Sequence, residues 1–314
     1  MTVWRSIEDV DLGDRPSVVS IGNFDGVHLG HRHVLARARE VADGLADDVV
    51  AVTFDPHPMQ VIAPPKAPAR LTSIDARVRL LEGAGADQVL VLPFDTDMSR
   101  WSPEEFVDRV IVKALRTVAV VVGENFRFGA RASGDVAFLR EQGAAKGFAV
   151  EGLALDGESQ PWSSTYIRSL VAAGDVAAAA HALDRYHAVD GVVVEGDKRG
   201  RELGFPTANI PASSSVAVPA DGVYAGWLRV ADETDALPAA ISVGTNPTFD
   251  GADRRVESYV LDRDDLELYG VHVEAIFADR VRGQVTFDGR EALIEQMHRD
   301  VADVRRLLAE VTAP

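Results

Sequence analysis

"SVVSIGNFDGVHLGHRHVL", residues 17–35, decides the fold of the first half of the chain. An unbroken apolar run, "SVVSIG", leads into a loop with glycines at 22 and 26, and a helical pattern starts near Gly30. A continuous run, unlike an alternating one, suits a strand covered on both faces in a parallel sheet. A strand, glycine loop and helix in succession form an anion site, because helix N–H groups point at the ligand and glycines allow close approach. His28 and His31 fall where that helix begins. A protein-held metal would need a third ligand at a defined spacing, and there is no H-E-x-x-H and no cysteine anywhere. From spacing alone, two readings stay open: a phosphate-binding loop, or a loop that merely carries imidazoles.

Outward from this stretch, the same rhythm continues to about residue 155. Apolar runs recur at 49–54, 88–94, 117–123 and 148–155, with helical patterns between them. In "WSPEEFVDRVIVKAL" Ser102 is placed as N-cap, Pro103 as the first helical residue and Glu105 as the residue that completes a capping box. Alternation of this kind predicts a doubly wound α/β domain with its site at the carboxyl ends of the strands. Three further loops leave those ends. "FDPHP" (54–58) carries Asp55 and His57, and it reads equally as turn chemistry. "VGENFRFGARASG" (122–134) offers Asn125, Arg127 and Arg131 between glycines, or a plain solvated loop. "SSTYIRSL" (163–170) opens a helix with hydroxyls and has Arg168 one turn in, which an ordinary N-cap would also explain.

From about Tyr186 the pattern becomes strand after strand, parted by Gly, Pro and Asp: "HAVDGVVVEG", "GVYAGWLRV", "LPAAISVG", "RVESYVLD", "VHVEAIF" and "RGQVTF". That predicts an all-β barrel or sandwich, closed by an amphipathic helix over "DGREALIEQMHRDVADVRRLLAEV". The alanine-rich stretch 171–182 reads as a helix leading into the junction. Taken as strand, "FPTANI" puts Thr207 and Asn209 on one face, where they can complete a magnesium shell or simply form a polar edge. Glu257 in mid-strand is either a solvated carboxylate or a base able to take a proton from an attacking alcohol.

The bulk composition narrows the classes. At 314 residues with 46% hydrophobic content, two domains are the natural expectation. A net charge of −17 argues against a nucleic-acid binder, so anion chemistry has to be concentrated in particular loops. No apolar run approaches the roughly 20 residues of a membrane helix, and "MTVWRSIEDVDLGD" has no secretory h-region. A cytoplasmic protein with no membrane partner and room for weak self-association is the expectation.

The ordered set "GNFDGVHLGH", "FDPHP", "VGENFRFG" and "SSTYIR" resembles the FMN adenylyltransferase module of bacterial bifunctional riboflavin kinase/FAD synthetases; its first member carries the His-x-Gly-His of the nucleotidyltransferase superfamily. "GRELGFPTAN", "GVYAG", "SVGTNPTF", "VESYVLD" and "LYG" resemble the riboflavin kinase module that follows it in that family. The resemblance implies a Rossmann-like nucleotidyltransferase domain over 1–186 and a small antiparallel β-barrel with a C-terminal helix over 187–314. It implies ATP-dependent conversion of riboflavin to FMN and of FMN to FAD, with Mg²⁺ as cofactor. Catalytic roles would fall to His28, His31 and Glu257. Nucleotide phosphates would be bound by Gly22, Phe24, Asp25, Gly26, Ser164, Thr165 and Arg168, and flavin by Asp55, His57, Asn125 and Arg127. In the kinase, Gly200, Arg201, Gly204, Phe205, Pro206, Thr207 and Asn209 would hold nucleotide, with Thr207 and Asn209 on the metal. Two competing readings make the barrel a catalytically inert flavin holder or an RNA-binding module, the second needing a basic, aromatic face.

Overall fold

The structure, a computed structural model, describes residues 2–13, 15–154, 162–196, 204–212, 215–230, 233–248 and 251–314. Contacts divide the chain into two compact units, Met1–Pro68 with Ser73–Ser163, and Ala69–Thr72 with Ser164–Pro314.

The first unit is built on six parallel strands: β1 (Thr2–Trp4), β2 (Ser17–Ile21), β3 (Asp48–Asp55), β4 (Gln88–Pro93), β5 (Thr117–Gly123) and β6 (Ala149–Leu153). Their order is β1-β4-β3-β2-β5-β6. The chain builds outward from β2 on one side and then returns to lay β5 on the other. That reversal opens a crevice beyond the carboxyl ends of β2 and β5, the usual ligand position in such sheets. β2 is buried along its whole length, which is why its sequence does not alternate. The helices are α1 (Leu29–Leu45), α2 (Pro58–Ile62), α3 (Ile74–Gly83), α4 (Pro103–Phe106) and α5 (Val136–Lys146). Ser102 caps α4 as its sequence predicts, through Oγ and the Glu105 N–H at 3.1 Å. The Glu105 carboxylate, however, pairs with Arg109 at 2.6 Å, and the helix runs on as a π-helical stretch, Val107–Ala114.

In the second unit α6 (Ser164–Ala173) and α7 (Val176–Leu183) precede six antiparallel strands: β7 (His187–Val192), β8 (Ala208–Pro211), β9 (Gly222–Val230), β10 (Ala236–Thr248), β11 (Gly251–Val260) and β12 (His272–Gly283). Their order is β7-β12-β9-β10-β11-β8, and a bridge between Val194 and Asn209 nearly closes the barrel. Helix α8 (Arg290–Leu308) follows. Close strand approach explains Gly226, where a Cβ would stand 1.9 Å from the Ile276 carbonyl oxygen.

Two expectations shift. "VHVEAIF" and the start of "RGQVTF" belong to one strand, β12, because register shifts after Phe277 and Arg280 absorb the extra residues without ending it. By contacts the second unit takes in Ser164–Pro314 together with Ala69–Thr72, so α6 and α7 group with the barrel. The reason is packing: Val176 joins the barrel core, the Arg280 guanidinium donates to the Ala173 carbonyl at 3.4 Å, and Arg168 Nε donates to Ala69 O at 2.7 Å.

Candidate active sites

The loop leaving β2 is folded under strain. Phe24 (φ 48) and Val27 (φ 36) both take the left-handed conformation, which a β-branched residue rarely adopts, and Gly26 (φ 86) separates them. Their side chains are buried with Leu35, Val78 and Leu81, so the core holds the turn that the backbone disfavours. The turn delivers His28 to the N-cap of α1. Its Nδ1 accepts from the His31 N–H at 3.4 Å, so in the neutral ring the proton sits on Nε2. The His28 and His31 rings stack with centroids 3.7 Å apart, and Phe24 meets His31 edge-on at 5.2 Å. Gly30 makes room for this stack, since a Cβ there would lie 3.2 Å from the His28 ring. Two imidazoles at the start of a 17-residue helix add donors to the exposed N–H groups and positive dipole end.

Not every residue of that loop faces a ligand. Asp25 is buried with its carboxylate 3.7 Å from the equally buried Arg77 guanidinium. Phe24 is core.

Beside the crevice lies a cavity of about 790 Å³. Its walls are aromatic: Phe54, Phe94, Trp101, Phe106, Phe126 and Phe128, with Phe126 and Phe128 stacked 5.4 Å apart. Gly22, Asn23, His57, Asn125, Arg127 and Arg131 supply its polar lining. His57 is the N-cap of α2, accepting from the Met59 N–H at 3.1 Å while its own N–H donates to Gln60 at 3.2 Å. Asp55 is not among the lining residues. The structure therefore brings Gly22, His57, Asn125 and Arg127 together and leaves Asp55 outside. Sequence reasoning missed the aromatic walls, although the alternation Asn125-Phe126-Arg127-Phe128 carried their signal. It missed Arg77 too, whose clue is a charge on the buried face of α3 beside Val78 and Leu81.

In the second unit Ser164 and Thr165 open α6, with Arg168 one turn on. A second polar group lies on the barrel. Thr207 just precedes β8, and the Asn209 amide donates to its hydroxyl at 3.2 Å, so the two share a face as predicted. In the ladders Glu257 stands opposite Asn209 on one side and Ser242 on the other. Thr207 and Glu257 line a cavity of about 250 Å³ together with Phe205, Tyr259, Arg282 and Asp300. Arg282 on β12 grips Asp300 on α8 through two bonds of 2.8 and 2.6 Å, and Gln296 donates to the same carboxylate at 2.9 Å. Helix α8 is thereby fixed as one wall of the cavity. Gly204 precedes Phe205 in left-handed backbone (φ 85), and Pro206 follows; Gly200 and Arg201 lie outside the described residues.

Residues 11–166 match the FAD synthetase family, and residues 183–308 match the riboflavin kinase family. The chain is 36% identical to the bifunctional riboflavin kinase/FMN adenylyltransferase of Escherichia coli K12 over 307 residues, covering 97% of each. The enzymes of that name from Pseudomonas fluorescens and Bacillus subtilis are 36% and 31% identical, over 98% and 94% of this chain and 98% and 93% of theirs. This chain belongs to the bifunctional riboflavin kinase/FMN adenylyltransferase family. It is an enzyme that phosphorylates riboflavin and adenylylates FMN. Its fold also superposes on a crystal structure described as a macrolide-efflux protein from Streptococcus pneumoniae, with TM-score 0.85, 29% identity and coverage of 96% of this chain and 98% of that one. Among the described residues, no helix is long and apolar enough to cross a membrane.

For this family the donor set bears on Mg²⁺. Among the described residues no group of three or more His, Asp or Glu could hold a metal ion. The Asn209 amide nitrogen donates to the Thr207 hydroxyl, and the hydroxyl and amide oxygens of this pair are hard donors that suit a magnesium ion keeping most of its shell as phosphate oxygens and water.

Proposed function

We propose that adenylyl transfer runs at the start of α1 beside the aromatic cavity, and phosphorylation at the Thr207–Asn209–Glu257 group. In the first reaction an FMN phosphate oxygen attacks the α-phosphorus of ATP and pyrophosphate leaves. The chain's task is alignment and charge absorption. His28 Nε2–H, His31 and the α1 N-terminus would donate to the triphosphate, with Gly22 and Gly26 giving backbone access. Aromatic walls suit the flat flavin ring, with His57, Asn125 and Arg127 on its polar edge. Ser164, Thr165 and Arg168 are assigned to the β- and γ-phosphates on their motif alone. Asp25 and Phe24 stay with the nucleotide loop on their motif, and their buried side chains support its backbone.

In the second reaction the riboflavin 5′-hydroxyl attacks the γ-phosphorus of ATP, Glu257 takes the hydroxyl proton and ADP leaves. Gly200 and Arg201, with Gly204, Phe205 and Pro206, are assigned to the nucleotide. Thr207 and Asn209 would hold Mg²⁺, which supplies charge screening on the phosphates. Functionally we keep 1–186 as the adenylyltransferase and 187–314 as the kinase, acting in the cytoplasm without a nucleic-acid partner and with room for weak self-association.

The observation that carries this reading is that each unit holds its own polar group beside its own cavity. Nothing favours an inert barrel, since Thr207, Asn209 and Glu257 share one patch of β8 and β11. Calorimetry with flavin and magnesium saturating tests it: two nucleotide equivalents per chain are expected, and a single one would refute two sites.

A further inference from the structure

Arg77 is 2% exposed, an expensive place for a charge unless it is paired and hydrogen-bonded. One guanidinium nitrogen faces Asp25 at 3.7 Å. Another donates to the Thr53 hydroxyl at 3.3 Å and to the Phe54 carbonyl at 3.2 Å. Thr53 in turn donates to the Asn23 carbonyl at 3.0 Å. One side chain on α3 thus ties the loop after β2 to the last turn of strand β3. Both tied segments lead to the chemistry. Asn23 and Phe54 line the aromatic cavity, and three residues beyond Asp25 the same loop becomes His28.

We propose that Arg77 is a positioning residue for adenylyl transfer, locking the loop that carries His28 to the strand end that lines the flavin cavity. The inference rests on the assignment of His28 and that cavity to this reaction. Its physical basis is alignment: a displacement of about 1 Å between reacting groups costs on the order of 10²-fold in rate. Asp25 faces one terminal nitrogen of the guanidinium, and Thr53 and Phe54 share the other. A planar fork spans them, whereas an ammonium is a single point charge.

The test uses the full chain with Mg–ATP. In Arg77→Lys, kcat for FAD formation from FMN falls about ten-fold and KM for FMN rises several-fold, because both walls shift. Riboflavin phosphorylation by the same molecules stays within about two-fold, since that site belongs to the other unit. Loss of folded protein alone would lower apparent kcat and leave KM in place. Thr53→Val, nearly isosteric, removes the donor to Asn23 and one acceptor of Arg77 while the Phe54 carbonyl and Asp25 stay in place, and shifts KM in the same direction by less. It decides the matter if Arg77→Lys does not fold. His28→Ala is measured alongside. Should it retain FAD synthesis, the site assignment is what fails. Should it lose FAD synthesis while Arg77→Lys and Thr53→Val keep the wild-type KM for FMN, Arg77 is scaffold and the proposal is overturned.

Discussion

The two sites of this chain are built by opposite means. In the α/β unit the reactive groups ride on loops beyond the strand ends, and the backbone there is bent into conformations that the buried side chains of Phe24 and Val27 must hold. In the barrel they sit on or beside the ladder itself. Asn209 and Glu257 are opposite each other because strand register puts them there, and no strained loop is needed. Each site leans on an arginine–carboxylate pair, fully buried in the first and partly exposed at Arg282 in the second. Arg77 spreads its donors over Asp25, Thr53 and Phe54 to link two segments, whereas Arg282 turns two of its nitrogens on Asp300 and the third on the Gly283 carbonyl, and fixes a helix. Loop sites gain reach over a large ligand; ladder sites gain exact placement of a few atoms.

If the sites are independent, mutations should separate them completely. Glu257→Ala should lower riboflavin phosphorylation by about 10²–10⁴-fold, the usual span for a general base, with FAD formation from FMN unchanged. His28→Ala should do the reverse. Initial rates of FMN and FAD formation in one assay read both, and a folded variant that lost both activities would break the comparison.

The same contrast explains what the sequence made legible. Strand–helix alternation, the barrel strands and the ordered motifs could be read because they depend on neighbours in sequence. His28 at a helix start and Thr207 with Asn209 on one face follow from local periodicity. The role of Asp25 was hidden, since its partner Arg77 lies on α3, far along the chain, and neither lines the cavity. Asp55 was grouped with His57 by adjacency, yet only His57 turns into the cavity wall. The placement of α6 and α7 with the barrel depends on Val176, Ala173 and Ala69 meeting distant partners, which no local pattern encodes.

The next effect is on stability. Asp300→Asn leaves the Arg282 guanidinium facing a neutral amide in a spot where the carboxylate side chain is 7% exposed. Breaking a buried pair from one side costs about 3 kcal/mol or more, so urea unfolding of the barrel should shift accordingly. Replacing both partners, Arg282→Met with Asp300→Leu, should recover most of it. An equal loss in single and double variants would mean that α8 is held by something else.

Smaller is Gly30→Ala. A helical glycine replaced by alanine gains about 0.5–1 kcal/mol of helix propensity. The added Cβ would nevertheless press the His28 ring from 3.2 Å. FAD formation should drop several-fold while the melting temperature holds or rises, a split that only a loop site with a tight neighbour would show. Equal rates would mean that the stacked imidazoles can slide aside.

The smallest effect is the outer anchor of α8. Asp262, in left-handed backbone (φ 61) just after β11, accepts from Arg305 at 2.6 Å, and that hydrogen bond holds its carboxyl below the usual carboxylate range. A depressed carboxyl stabilises the fold at pH values above its unfolded pKa, and the contribution fades as pH falls through the folded one. Both side chains are at least half exposed, so solvent and salt screen the pair. Asp262→Asn, which tolerates the same backbone, should therefore lower the melting temperature barely measurably at neutral pH and low salt. At pH values beneath the lowered carboxyl pKa, where Asp262 is itself protonated, variant and parent should melt together. If Asp262→Asn cost as much as Asp300→Asn, burial would not be what distinguishes the two anchors of this helix.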